Sequence, residues 1–401
     1  MNRREFIKLG TSALAATSVA RAPRAARAET RGTRPLVDEA LRKALLAYLA
    51  DLNAWVMTLD VGSGTLKNTK DTRTSVFING NFARMLMASY RITGNKAHLA
   101  EALRWCDTFC KKQQMTTTST GQEAGYWPDC GPRGNIYFGD AGTAATALAV
   151  GHRFADKQRQ ARYLAAMERK ARFVMHGCAE APEGRGRKAS TGWVIQQGKD
   201  RGALGCGYYK GKLSPEPYTI STATTGGAFF SELFAITGQP KYKEIAAGAT
   251  RWLVKIRKED GELPYTLAGK TLTCWPLDTL SYCTEAFVAA DMYLKDPGLQ
   301  DLLRKKLKPT VRWFLAGQNA DGSWGKLRSA DQQRSPRSLT LLSWFYRHVD
   351  PSPEAAESVR KYCRFLLNPE NSKAYGVKTL VRTSGFVGLA VAEIVSDRST
   401  F

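Results

Sequence analysis

Thr222-Ala223-Thr224-Thr225-Gly226-Gly227, then Phe234, the turn Gly238-Gln239, and further on Arg251-Trp252: this stretch decides the fold. Its first part is rich in small residues, which let a helix pack closely on both sides. Its second part reads as an amphipathic helix with one apolar stripe. A turn this short between two helical patterns makes them antiparallel neighbours. The unit is therefore a hairpin of one inner and one outer helix. Tyr90…Gly94-Asn95…Arg104-Trp105, Tyr293…Asp296-Pro297…Arg312-Trp313 and Phe345…Asp350-Pro351…Arg364-Phe365 repeat it. The Arg–aromatic pairs at Arg251, Arg312 and Arg364 are spaced 61 and 52 residues apart, a period that means stacked hairpins.

Helical periodicity extends over residues 36–57, 77–93, 96–113, 140–155, 160–177, 221–237, 241–257, 278–294, 298–316, 336–348, 353–367 and 381–396. Strand patterns are confined to short possibilities within loops. Asp140-Ala141-Gly142-Thr143-Ala144-Ala145 and Thr383-Ser384-Gly385-Phe386-Val387-Gly388 open further inner helices, and the run Leu299 to Leu307 with its basic face is an outer one. Long loops, 58–76, 114–139, 178–220, 258–277, 317–335 and 368–380, all lead from an outer helix to the next inner one. They are expected at one end of the array, where the positive dipole ends of the inner helices also point. Loops that long are uncommon unless they carry function.

This pattern resembles the (α/α)6 toroid over residues 36–396: an all-α ring of six hairpins with its long loops on one face. The resemblance implies a superfold shared by six-hairpin glycosidases, uronate polysaccharide lyases, sugar epimerases, terpene cyclases and protein prenyltransferases. It is a likeness of fold, so function is argued from the site.

The N-terminus, Asn2-Arg3-Arg4-Glu5-Phe6-Ile7-Lys8, resembles the twin-arginine export signal. A weakly apolar run and Ala26-Arg27-Ala28, a small-x-small cleavage site, follow it. Residues 1–28 are read as a signal peptide and 29–401 as one domain, exported by the twin-arginine machinery to the periplasm or beyond. Without residues 1–28 the net charge falls from +23 to +18. A field of that size favours anionic partners. The compartment and the scattered basic residues argue against nucleic acid, and an acidic polysaccharide fits better. No apolar run reaches the roughly 18 residues of a membrane span.

The loops carry the candidate chemistry. Trp127, Asp129 and Tyr137 precede Asp140; Tyr208, Tyr209 and Lys210 lie in loop 178–220; Trp275 precedes Asp278; Trp324 and Arg334 lie in loop 317–335, with Arg337 just inside the next helix. Aromatic rings stack on sugar faces, and Arg and Lys pair with carboxylate or sulfate. Together they read as a cleft for an anionic glycan. Asp140 and Asp278 each begin an inner helix. They serve either as an acid/base pair for glycoside hydrolysis or as helix N-caps. Asp129 is a third candidate. Glu285, two turns inside an inner helix, is expected to face an apolar lumen with a raised pKa, suited to a general acid.

Arg312 to Trp324 resembles a single QW repeat of the squalene cyclase group, but the DxDD acid motif of those enzymes is absent. The zinc set of prenyltransferases is missing too, and neither metal nor cofactor is expected. The four His fall away from the long loops. β-Elimination would then rest on Tyr137, Tyr208 or Tyr209 beside an Arg, and a non-catalytic envelope-glycan binder is a third possibility. Cys130, Cys206 and Cys274 offer one disulfide outside the cytoplasm.

Overall fold

The computed structural model describes residues 35–59, 76–128, 135–182, 188–326, 329–396 and 399–400. Asp129, Cys130 and the signal-like segment lie outside them. The outer helices are α1 (Glu39–Met57), α3 (Lys96–Lys112), α5 (Lys157–His176), α7 (Pro240–Ile256), α9 (297–316, broken at Leu307) and α11 (Pro353–Leu367). The inner helices are α2 (Val76–Thr93), α4 (Phe138–His152), α6 (219–237), α8 (Pro276–Tyr293), α10 (335–348) and α12 (Val381–Ser396). Inner helices pack in the order α2-α4-α6-α8-α10-α12, and α12 returns to α2. The ring is closed, as the alternation of short and long connections implies.

Small residues make the closure possible. A Cβ placed on Gly142 of α4 would lie 2.6 Å from Thr224 Oγ1 of α6, and one on Gly388 of α12 would lie 1.9 Å from Met85 Sδ of α2. The middle of α6, Thr222–Phe229, is π-helical. Its Thr224 and Thr225 hydroxyls donate to the carbonyls of Gly139 and Phe138 at 2.7 and 2.5 Å, fixing the first turn of α4.

The two sets of helices begin differently. Five outer helices have side-chain N-caps, from Asp38, Asn95, Asp156, Asp296 and Ser352. The inner helices α4, α6, α8 and α10 begin without one. The positive dipole ends of α4, α6 and α8 point toward the long-loop end, the arrangement that attracts negative charge. Asp140 and Asp278, each third in its helix, are therefore not the N-caps that the sequence offered as the alternative.

The long loops form small sheets that frame this end. β1 (Gln114–Thr117) pairs with β2 (Glu123–Tyr126). β3 (Ile136–Tyr137), β4 (Gly205–Tyr209) and β5 (Lys212–Pro217) form a three-stranded antiparallel sheet. β6 (Tyr265–Leu267) and β7 (Lys270–Leu272) form a hairpin. None of the described helices is long and apolar enough to cross a membrane. Cys206 and Cys274 are free thiols.

Candidate active site

The site is organised around the start of α8. Asp278 is 3% exposed. Its Oδ2 accepts from Arg334 at 3.0 Å, and its Oδ1 lies 4.0 Å from Arg382 at the start of α12. That Oδ1 is buried and has no hydrogen-bond partner. A buried carboxylate oxygen without a hydrogen bond is costly, and the Arg382 charge offsets part of that cost.

The first N–H groups of α8 are capped from a distance. Asp331 Oδ1 accepts from the backbone N–H of Leu277 at 3.0 Å and of Asp278 at 2.9 Å. The segment bearing Asp331 and Arg334 is pinned to the ring. Ser281 donates to the Arg334 carbonyl at 2.7 Å, and Thr383 of α12 to that of Gln333 at 2.8 Å. Burial, the largest cause, and the neighbouring Asp278 push the Asp331 carboxyl up to about 6, against the two N–H groups and Arg334. For Arg382, burial works to depress the guanidinium, but Tyr282, Asp278 and Asp140 together hold it above its ordinary value.

Aromatic side chains surround these charges. Trp275, 38% exposed, occupies the left-handed region at φ 60°, a strained conformation for a bulky residue. The Arg334 guanidinium lies 5.2 Å from its ring centroid, and Tyr265 meets it edge-on at 5.4 Å. The Tyr265 and Tyr218 hydroxyls are 3.1 Å apart. Burial raises the phenols of Tyr218, Tyr265 and Tyr282, and Asp140 adds to all three. Asp140 and Asp278 both act on Tyr265, Tyr282 and Arg382, so the two acids share one electrostatic neighbourhood. At the rim, exposed Lys210 reaches over Tyr209, whose ring is 6.1 Å from that of half-buried Tyr137.

Five sequence expectations are corrected by burial. Trp127 is in the core, donating to the Phe109 carbonyl at 2.8 Å. Trp324 is equally buried, stacked on Phe314. Tyr208 is enclosed and donates to the Lys188 carbonyl. These rings anchor loops and are not open to a glycan. Glu285 does turn inward, but it meets Arg84 and Arg337, each at 2.9 Å, instead of an apolar wall. Arg337 is fully buried and also bonds Glu393 at 3.1 Å and the Thr400 hydroxyl at 3.0 Å. It neutralises the lumen and cannot reach a ligand in the loops.

Sequence reasoning missed Asp331 and Arg382. Arg382 carries the signal that singled out Asp140 and Asp278, a charge in the first turn of an inner helix. Asp331 carries none, because its partners lie more than fifty residues away. Among the described residues, no group of three or more His, Cys, Asp or Glu side chains is arranged to hold a metal.

This geometry belongs to a recognisable architecture. No family model matches the chain, and no curated protein matches it. The structure is similar to that of cellobiose 2-epimerase from Spirochaeta thermophila, with TM-score 0.58, 12% identity, and 90% of this chain and 99% of that one covered. It is similar to a polysaccharide lyase, with TM-score 0.57, 15% identity and coverages of 88% and 98%. A third similar structure is an inactive variant of an α-1,6-mannanase from Salegentibacter in complex with α-1,6-mannotetrose, with TM-score 0.55, 12% identity and coverages of 87% and 98%. The fold is thus the all-α (α/α)6 toroid of the six-hairpin glycosidase type. That mannanase was altered at two consecutive aspartates; the present chain contains no Asp-Asp pair.

Proposed function

We propose that this protein is an exported carbohydrate-active enzyme that hydrolyses an anionic polysaccharide or oligosaccharide with carboxylates at the toroid mouth. The observation that carries the reading is Asp278 Oδ1, buried and without a hydrogen-bond partner, between Arg334 and Arg382. A carboxylate oxygen placed there takes a proton from water, and the two cations attract an acidic sugar. The carbohydrate-active proteins that share the fold support the chemistry, and the +18 charge without residues 1–28 supports the substrate class. Elimination by Tyr218 or Tyr265 is less well supported, because burial favours the neutral form of these two phenols. Export rests on Arg3-Arg4 and the segment after it.

Binding tests the substrate class. An oligogalacturonide or a sulfated oligosaccharide is expected to bind through Arg334 and Lys210, with affinity falling about tenfold as salt screens exposed charges beyond roughly 8 Å. A neutral oligosaccharide binding as well, or affinity indifferent to salt, contradicts the anionic reading.

Trp275 is expected to be the stacking platform. Trp275→Gly removes the ring and relieves its positive φ. Thermal stability should hold or rise slightly, while glycan affinity falls about tenfold, or ~1.4 kcal/mol. Calorimetry that shows unchanged affinity removes Trp275 from the site.

A further inference from the structure

Hydrolysis needs one carboxyl that gives a proton and one that takes it. Their environments identify them when those environments differ. Asp278 is clamped by Arg334 and faces Arg382. Asp331 is adjacent, since its Oδ1 accepts from the backbone N–H of Asp278 itself. It faces Asp278 and Leu277 from α8, Arg334 from its own segment, and Tyr375, which senses its charge from the neighbouring short helix. Both backbone hydrogen bonds go to Oδ1. Oδ2 is absent from the hydrogen bonds of the described residues, and it is not among the buried unpaired atoms, so it keeps contact with solvent.

We infer that Asp331 is the proton donor of this site, with Asp278, held by Arg334, as the proton acceptor. The inference rests on the hydrolase reading above. Asp331 gives the carboxyl proton on Oδ2 to the glycosidic oxygen as the bond from that oxygen to the anomeric carbon breaks. A water adds its oxygen to the anomeric carbon and passes a proton to Asp278 Oδ1. One water is consumed per bond cut, the two carboxyls exchange protonation states, and solvent resets them. Burial and the Asp278 charge favour the protonated form of Asp331, so activity should fall as the pH rises through about 6. The backbone N–H groups bind Oδ1 in either form, which keeps the donor oriented while it titrates.

Asp331→Asn keeps an oxygen for both N–H groups and removes the proton. Two measurements on the full chain separate this role from a structural one. The first needs no substrate: with carboxyl-labelled aspartate, NMR should show one carboxyl titrating near 6 that vanishes in Asp331→Asn. Absence of such a carboxyl, or its persistence in the variant, overturns the assignment whether or not the enzyme is a hydrolase. The second uses an acidic polysaccharide that the wild type cuts. Turnover should drop about 10²–10⁴-fold, and the loss of activity above pH 6 should disappear. On the fluoride of the same sugar, whose leaving group needs no proton, the variant should stay within a few-fold of wild type. A variant equally slow on both substrates, or one that keeps its alkaline limb, shows that Asp331 only holds the loop.

Discussion

Asp278→Asn is expected to lower turnover by about 10²–10⁴-fold, and to cost stability as well. Asn is nearly isosteric but cannot accept the proton at Oδ1. It also leaves the Arg334 guanidinium without its carboxylate at 3.0 Å. Arg334 keeps some contact with solvent, so the cost should be about 1–2 kcal/mol and not that of a fully buried pair. Asp140→Asn is the comparison within the same electrostatic neighbourhood. Asp140 takes neither proton-transfer role but adds to the field at Tyr282 and Arg382, so its loss should slow turnover far less than the loss of Asp278. Steady-state kinetics beside thermal melts distinguish these outcomes. Full activity in Asp278→Asn would leave Asp278 without a catalytic role.

Glu285 gives the largest expected effect on stability. It lies between Arg84 and Arg337, all three fully buried, with Glu393 completing the group. Removing one partner of such a network leaves an uncompensated buried charge, at about 3–5 kcal/mol. Glu285→Gln should therefore unfold at markedly lower urea concentration. Its turnover per folded molecule should change little, because its ion-pair partners Arg84 and Arg337 lie on inner helices. A stable but inactive Glu285→Gln would restore Glu285 as a working acid.

The architecture was legible because it rests on local signals. Small-residue segments mark inner helices, Gly238-Gln239 and Asp296-Pro297 mark tight turns, and loop lengths alternate. The twelve ring helices follow from these, within a few residues at their ends; the short helices Ala330–Arg334 and Pro369–Tyr375, inside segments read as loops, do not. The π-helical stretch Thr222–Phe229 was not legible, and it coincides with contacts of Thr224 and Thr225 to α4 that only the fold brings together.

The site was only partly legible, for a physical reason. A long loop on a toroid supplies both its anchors and its working residues, and both are aromatic. Trp127, Trp324 and Tyr208 became anchors, while Trp275 reached the surface. Composition cannot separate them, because burial is decided by the partner surface. The same holds for charge: Arg334 and Arg337 are three residues apart, yet one meets the cleft and the other the sealed lumen. Asp331 escaped notice because its meaning depends on two backbone N–H groups brought to it by the fold.

The central claim is that the toroid mouth cuts an acidic glycan by adding water, with Asp278 taking part. The most direct measurement incubates purified protein with a panel of acidic polysaccharides, following reducing ends and the ultraviolet absorbance of unsaturated uronates together, for wild type and Asp278→Asn. The account predicts new reducing ends from wild type without that absorbance, and a rate about 10²–10⁴-fold lower from the variant. Reducing ends accompanied by equal absorbance would make the protein a lyase, and products released equally by both proteins would place the chemistry elsewhere.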